Sequence, residues 1–339
     1  MKTKKIIIAL SMMAMAMAPI VAVANDEGDT VPQRIRGTWV VSTTPSLVFT
    51  EKLYNNWSAA GNSLISSAFN FDGSYKYTYG SHIVDNIVKL GLGFDMQDLD
   101  DNRSLESFRK SSDVIDLSST YSHKIYDKFN VNAAVNFKTQ FIDGWNYAGA
   151  GNDDENRTLV SRFMAPGYLI TSIGNEYKAD YWNVSVSFLS GKTTFVYSQD
   201  VIDAGQRYGV DTTDGNRAYF ALGTYIKFYF KKDIAKNLNL YAKMELFYDY
   251  NKPKHVDWTQ WGDPSPYDTY IKQLGKALIH ETDVNFELTA NYNLTNYCAV
   301  TASLNMKYDT DYAGIGSYGH WQLYQTAGLR VFMNFPRKN

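Results

Sequence analysis

The chain has 339 residues, with 33 Lys+Arg against 35 Asp+Glu, and its 15% aromatic share comes from 26 Tyr, 18 Phe and 7 Trp. A mean hydropathy of -0.34 excludes a helical membrane protein, whose spans need runs of about 20 apolar residues. The formal net charge of -2 excludes a strongly basic nucleic-acid binder, and the absence of low-complexity tracts sets disorder aside.

The first 24 residues read as a cleaved export signal. Lys2, Lys4 and Lys5 precede an apolar stretch over 6–18, and Ala22-Val23-Ala24 is a small-x-small cleavage site. The mature chain then starts at Asn25 and opens with a polar, exposed lead-in over 25–37. Cys298 is the single cysteine, so export brings no disulfide within the chain, and its place on an apolar strand face marks it as a small buried hydrophobe.

From Trp39 onward the hydrophobic period is two, which is the strand signal. In 82–96, Val84, Val88, Leu90, Leu92, Phe94 and Met96 alternate with Asp85, Lys89, Gly91, Gly93 and Asp95. In 282–293, Val284, Phe286, Leu288, Ala290 and Tyr292 alternate with Asp283, Asn285, Glu287, Thr289 and Asn291. The pattern predicts twelve strands: 39–50, 62–79, 82–96, 113–124, 128–141, 163–178, 181–197, 218–231, 238–250, 282–293, 297–308 and 321–335. Ser190-Gly191 interrupts the seventh, which reads either as two short strands or as one bulged strand. The connections alternate between short (80–81, 125–127, 179–180, 232–237, 294–296) and long (51–61, 97–112, 142–162, 198–217, 251–281, 309–320). An even strand count with short turns at one end and long loops at the other is the plan of a transmembrane barrel. Residues 38–335 are therefore assigned to an all-β, antiparallel, up-and-down transmembrane β-barrel with short periplasmic turns and long outer loops, and 336–339 to a C-terminal tail.

Alternation alone does not say which face meets lipid, because a soluble ligand-binding barrel has the same rhythm. The charges decide it. The polar face carries Asp85, Lys89, Asp95, Lys138, Glu176, Lys243, Glu245, Asp283, Glu287, Lys307 and Arg330. Such groups can pair in a wet interior, whereas Lys or Arg at mid-depth on the lipid face costs about 2–4 kcal/mol. Trp39, Tyr75, Tyr77, Tyr79, Tyr181, Trp182, Tyr248, Tyr250, Tyr308 and Trp321 stand near strand ends, where an aromatic girdle belongs. The last strand alternates apolar residues up to an aromatic, Phe335, and resembles the insertion signal of outer-membrane barrels.

Several segments carry a family resemblance. Asn56-Trp57-Ser58-Ala59-Ala60-Gly61-Asn62-Ser63 resembles an NWxxGGxNS motif, with Ala60 in place of the first glycine. Phe137-Lys138-Thr139-Gln140-Phe141 and Phe163-Met164-Ala165-Pro166-Gly167-Tyr168 resemble TQF and APxY segments. Leu189–Val196 and Tyr208-Gly209-Val210 resemble a middle block, without the proline expected before Ser-Gly-Lys. These are similar to an uncharacterised family of Bacteroidota outer-membrane proteins, a domain of unknown function. The resemblance implies a porin-like barrel and supplies no reaction or ligand. It singles out Asn56, Trp57, Gly61, Asn62, Thr139, Gln140, Pro166 and Tyr168 as motif residues of unknown role.

Catalytic, cofactor and metal residues are expected to be none. His82, His123, His255, His280 and His320 match no compact ligand spacing. A barrel hydrolase is the enzyme alternative, with Ser317 in Gly316-Ser317-Tyr318-Gly319 beside His320, but the strand-turn-helix of a nucleophile elbow is not there. Asn56-Trp57 reads either as a stacking contact at the outer mouth or as a rim anchor. The aromatics and prolines of 251–275 suit a surface ligand or a loop folded over the pore. The expected partners are outer-membrane lipid, the barrel-insertion machinery and a small solute or surface ligand, with no nucleic acid. The expected role is a porin-like channel or scaffold, with a barrel lacking a pore as the structural alternative.

Overall fold

The computed structural model describes residues 37–52, 64–97, 107–147, 157–250, 282–309 and 320–338. In chain order the strands are β1 (Thr38–Lys52), β2 (Leu64–Tyr79), β3 (His82–Gln97), β4 (Ser107–Tyr126), β5 (Phe129–Thr139), β6 (Gly144–Asn146), β7 (Thr158–Ser161), β8 (Gly167–Lys178) and β9 (Trp182–Phe195). After a short helix α1 (Gln199–Asp203) come β10 (Ala218–Ala235), β11 (Leu238–Asp249), β12 (Thr282–Asn293), β13 (Cys298–Asp309), β14 (His320–Phe332) and β15 (Phe335–Lys338). Each long strand pairs antiparallel with the next, and β1 pairs with β14 and β15, which closes a 12-strand barrel. The small β6–β7 sheet lies outside that wall. Closure leaves no sheet edge along most of the wall, a requirement in lipid, which offers no partner to an N–H or C=O.

The predicted barrel is the observed one, with differences in places: β4 already begins at Ser107 and β10 runs on to Ala235, where the alternation predicts 113 and 231, and three further segments depart from that reading. The strand expected from 163 begins at Gly167, because 163–166 is a tight turn with Met164 at φ 59 and an Arg162–Ala165 bridge. Pro166 cannot donate to a ladder and so stands just before the strand. The segment 181–197 is one strand: β9 pairs with β8 and β10 along its length, and the ladders slip where Ser187, Phe188 and Leu189 stand against Gly174 and Thr224. The bulge lies there, three residues before the Gly191 expected to mark it. Phe188 and Leu189 consequently both face outward, exposed by 68% and 60%. The final strand breaks at Met333-Asn334 and resumes as β15, so Pro336–Lys338 pair with Ser42–Val40 and are not a free tail.

The two faces are read directly from the ladder. Phe129, Tyr177, Val184, Phe228, Met244, Phe286, Met306 and Leu323 are successive register partners from β5 to β14. One residue along, the partners are Asn130, Glu176, Ser185, Lys227, Glu245, Asn285, Lys307 and Gln322. An apolar row thus runs along the outside and a polar row along the inside, both climbing from the short-turn end at β5 to the long-loop end at β14, as staggered strands require. This is the inverted pattern of a membrane-spanning barrel. At the short-turn end the outer rings cluster as Trp39–Tyr77, Phe129–Tyr177 and Tyr177–Trp182, with centroids 4.9, 5.0 and 5.3 Å apart.

Candidate functional site: a charged lumen under an outer cap

The lumen is bridged by side chains from nearly opposite strands. On β11, Lys243 and Glu245 point inward two residues apart, as the period of a strand requires. Lys243 Nζ lies 3.1 Å from Glu245 and 3.5 Å from Asp116 of β4. Lys138 of β5 reaches Glu245 and, at 3.9 Å, Asp116. Asn136 donates to Asp116 at 2.6 Å, while Tyr225 and Asn285 donate to the two Glu245 oxygens at 2.6 and 3.1 Å. Each carboxylate therefore has two ammonium groups and at least one neutral donor. That is the condition under which buried charge is tolerated, since an unpaired ion in the interior costs several kcal/mol. Lys89 of β3 crosses to Glu287 of β12 at 3.3 Å and donates to the Tyr241 hydroxyl at 3.3 Å.

The cluster is one layer of a packed half-barrel built on β4, β5 and β8–β11. Toward the short turns, buried Glu176 accepts from Asn130 at 3.1 Å and Asn183 at 3.3 Å. Toward the long loops, Ile170, Ala221, Tyr225 and Phe247 form an apolar layer inside the lumen. Above it Lys192 pairs with Asp283 at 2.6 Å and lies over the Tyr168 and Phe247 rings at 5.4 and 5.5 Å.

A cap covers this half. The β6–β7 hairpin, the 162–166 turn, α1 and the following loop bury Leu159, Ala165, Val196, Val201, Ile202 and Val210 against Trp145 and Tyr208. Ser198 caps α1 by accepting from Val201 N at 3.4 Å. Arg162 ties three segments together: it donates to both Asp143 oxygens at 2.7 and 2.8 Å and to Asp200 at 2.6 Å. Those bonds raise the Arg162 pKa above its ordinary value, and the bond from Arg162 holds the Asp143 carboxyl below the usual carboxylate range. A paired bond from the Thr213 hydroxyl and amide lowers Asp211 in the same way.

Four motif residues meet at the base of the cap. The Thr139 hydroxyl donates to the Pro166 carbonyl at 3.1 Å and accepts from Met164 N at 2.9 Å. Gln140 Nε2 donates to the carbonyls of Arg162 and Ala165 at 2.8 and 3.3 Å. The end of β5 thus serves Met164 N and Pro166 O through Thr139 and adds second bonds to the carbonyls of Arg162 and Ala165, which already pair within the turn, and Tyr168, two residues on, places its ring between Lys192 and Lys307. TQF and APxY are two halves of one structural joint. Asn56, Trp57, Gly61 and Asn62 lie outside the described residues, as do Ser317, His255, His280 and the 251–275 loop. His82 and His123 face each other on the outer face at the short-turn end, ring centroids 4.8 Å apart, with His82 Nδ1 2.7 Å from the Tyr121 hydroxyl.

Sequence reasoning missed Asp116, Tyr225, Asp143, Arg162 and Asp200. Asp116 was within reach, since Ile115 and Leu117 flank it in alternation. The loop residues carried no periodic signal.

The rest of the bore is an open cavity of about 900 Å³, bounded on one side by β12–β14 and β1–β3 and on the other by the charged cluster (Asp116, Lys138, Lys243, Glu245) with Ile170 and Phe247. Asp72, Lys89, Asn305, Thr326, Gln322 and Arg330 are among its lining residues. It runs from Thr50 and Gln322, toward the long loops, down to Ser46, Thr301 and Arg330, near the short turns.

Comparison with known proteins gives a partial family match: the family described as "Protein of unknown function (DUF3078)" matches residues 49–145. No curated protein matches the chain. Among solved structures, an outer membrane channel from Pseudomonas putida F1 is similar at 11% identity, covering 91% of this chain and 100% of its own, with a TM-score of 0.38. Outer membrane phospholipase A from Escherichia coli is similar at 10% identity, 87% and 95% coverage and a TM-score of 0.34. A porin is similar at 8% identity, 87% and 100% coverage and a TM-score of 0.30.

Proposed function

We propose that the protein is an outer-membrane barrel that passes small polar solutes through a lumen confined to one side of its bore, without enzymatic activity. The observation that carries this reading is the cavity of about 900 Å³ between β12–β14 with β1–β3 and the charged cluster facing them, lined by hydroxyl, amide and charged groups of both signs. Across the bore, the Lys138–Glu245–Lys243–Asp116 cluster and the apolar layer above it fill the space with side chains. A half-filled bore favours a small, low-conductance path over a wide diffusion pore. Export on a signal cleaved after Ala24, embedding in outer-membrane lipid and delivery through the barrel-insertion machinery complete the proposal. The alternating outer face and the final strand support the last two. Recording purified protein in planar bilayers tests the channel: small, steady conductance steps are expected, and their absence at every voltage would leave a barrel without a pore.

A further inference from the structure

One pair of opposite charges on the cavity wall is held more loosely than those described above. Lys89, Lys138, Lys192 and Lys243 each donate to a carboxylate. Arg330 of β14 does not: its carboxylate neighbour is Asp72 of β2, at 3.6 Å, beyond hydrogen-bond reach. Among the described residues neither the Arg330 guanidinium nor the Asp72 carboxylate makes a hydrogen bond, although the Arg330 side chain is only 19% exposed. Lys89, the register partner of Asp72 on β3, is directed instead to Glu287 and the Tyr241 hydroxyl. The strand between the two charges is β1, where Val48 stands beside Arg330 and Thr44 beside Asp72. Ser46 is midway along that span, 4% exposed, and its hydroxyl has no partner among the described residues. Arg330, Ser46 and Asp72 all line the cavity, and Val48, Ala68 and Gly91 around them are short enough to leave room.

A guanidinium and a carboxylate that face one cavity without bonding each other form a fixed dipole. A solute with a negative group alone would gain at Arg330 and be repelled by Asp72. A solute with a positive group alone would meet the reverse. A molecule that carries a carboxylate and an ammonium a few bonds apart satisfies both. Its carboxylate can accept two parallel bonds from the Arg330 fork, the strong bidentate arrangement, with the Ser46 hydroxyl as a further donor. Its ammonium can donate to Asp72.

We propose that Arg330, Ser46 and Asp72 form a binding site for a small zwitterion of the α-amino-acid type, held there on its way along the lumen. This rests on reading the lumen as a solute path. Saturation-transfer NMR on the purified protein in nanodiscs tests it, with L-alanine, acetate and methylammonium as probes. Saturable binding of L-alanine is expected, at least about tenfold tighter than that of either singly charged probe. Arg330→Gln should weaken it at least about tenfold, and Arg330→Lys, which keeps the charge but loses the fork, should also bind more weakly than the wild type. Asp72→Asn alters a half-exposed side chain and should reverse the preference, so that acetate binds at least as tightly as L-alanine. Heat-modifiable gel migration verifies that each variant is folded. A lack of saturable L-alanine binding, or an unchanged preference in folded Asp72→Asn, would overturn the site. Saturable L-alanine binding by a protein that gives no conductance would uphold the site and strike the channel, while conductance without L-alanine binding would do the reverse.

Discussion

The two halves of this barrel share one wall and one alternation, yet they are filled differently. On β4, β5 and β8–β11 the inward side chains are long and of opposite charge, and they meet across the bore; Lys243 and Glu245 side chains are exposed by only 8% and 5%. On β12–β14 and β1–β3 the inward residues are largely short, such as Ser46, Ser66, Ala68, Gly91, Thr301, Ser303 and Thr326, and they leave the cavity. Residue length on the inner face, more than polarity, decides where a barrel of this width is solid. A 12-strand bore is too wide for one apolar filling, so half of it is closed by charge and a cap while the rest stays wet.

The largest effect that would break this contrast is expected at Glu245. Glu245→Ala removes the acceptor shared by Lys138, Lys243, Tyr225 and Asn285 and leaves buried ammonium groups uncompensated. Urea unfolding in lipid vesicles should show a loss of about 3–5 kcal/mol, with larger conductance steps as the filling loosens. Gly174→Ala ranks next. Its Cβ would stand 2.3 Å from Ser187 Oγ and 2.4 Å from the Val186 carbonyl oxygen, so the β9 bulge must move, at a cost of about 1–3 kcal/mol in the same assay. Thr139→Val removes one donor and one acceptor from the joint under the cap, and a loss of about 1 kcal/mol is expected, with faster limited proteolysis at 162–166.

The open half should answer differently. Asn305→Lys, on the cavity wall, is expected to change stability by less than about 0.5 kcal/mol while shifting reversal potentials toward anion preference. The smallest effect is on the rim. Asp143 is held below the usual carboxylate range by Arg162, so its contribution is present above the unfolded carboxyl value and is lost as pH falls through the folded one. Cap proteolysis should therefore rise only below about pH 4, and Asp143→Asn should remove that acid dependence.

The barrel was legible because its signal repeats. Period-two runs such as 282–293 coincide with the observed strand, and most charges that bridge the lumen, though not Asp116 or Lys192, stood out as the polar face. Which charge meets which was not legible, because Lys89–Glu287 and Lys243–Asp116 join positions distant in sequence and their pairing depends on the order of strands around the ring. The cap was invisible for another reason. Its core is a few residues drawn from loops, and Arg162 has meaning only once Asp143 and Asp200 are beside it. Thr139, Gln140 and Pro166 were singled out by resemblance, and geometry supplied their role. The bulge was placed at the glycine in β9, whereas the space it needs is provided by a glycine on the neighbouring strand, Gly174.

The alternation of Lys243 and Glu245 on β11 also guards the assembly against a frameshift. The smallest slip of a strand that keeps inside and outside intact is two residues. Moving β11 by that step would carry Lys243 to the height of Glu245 and set one ammonium group against another at Lys138. Misthreaded rings are thus rejected by repulsion at their centre, after the last hairpin has already been laid down.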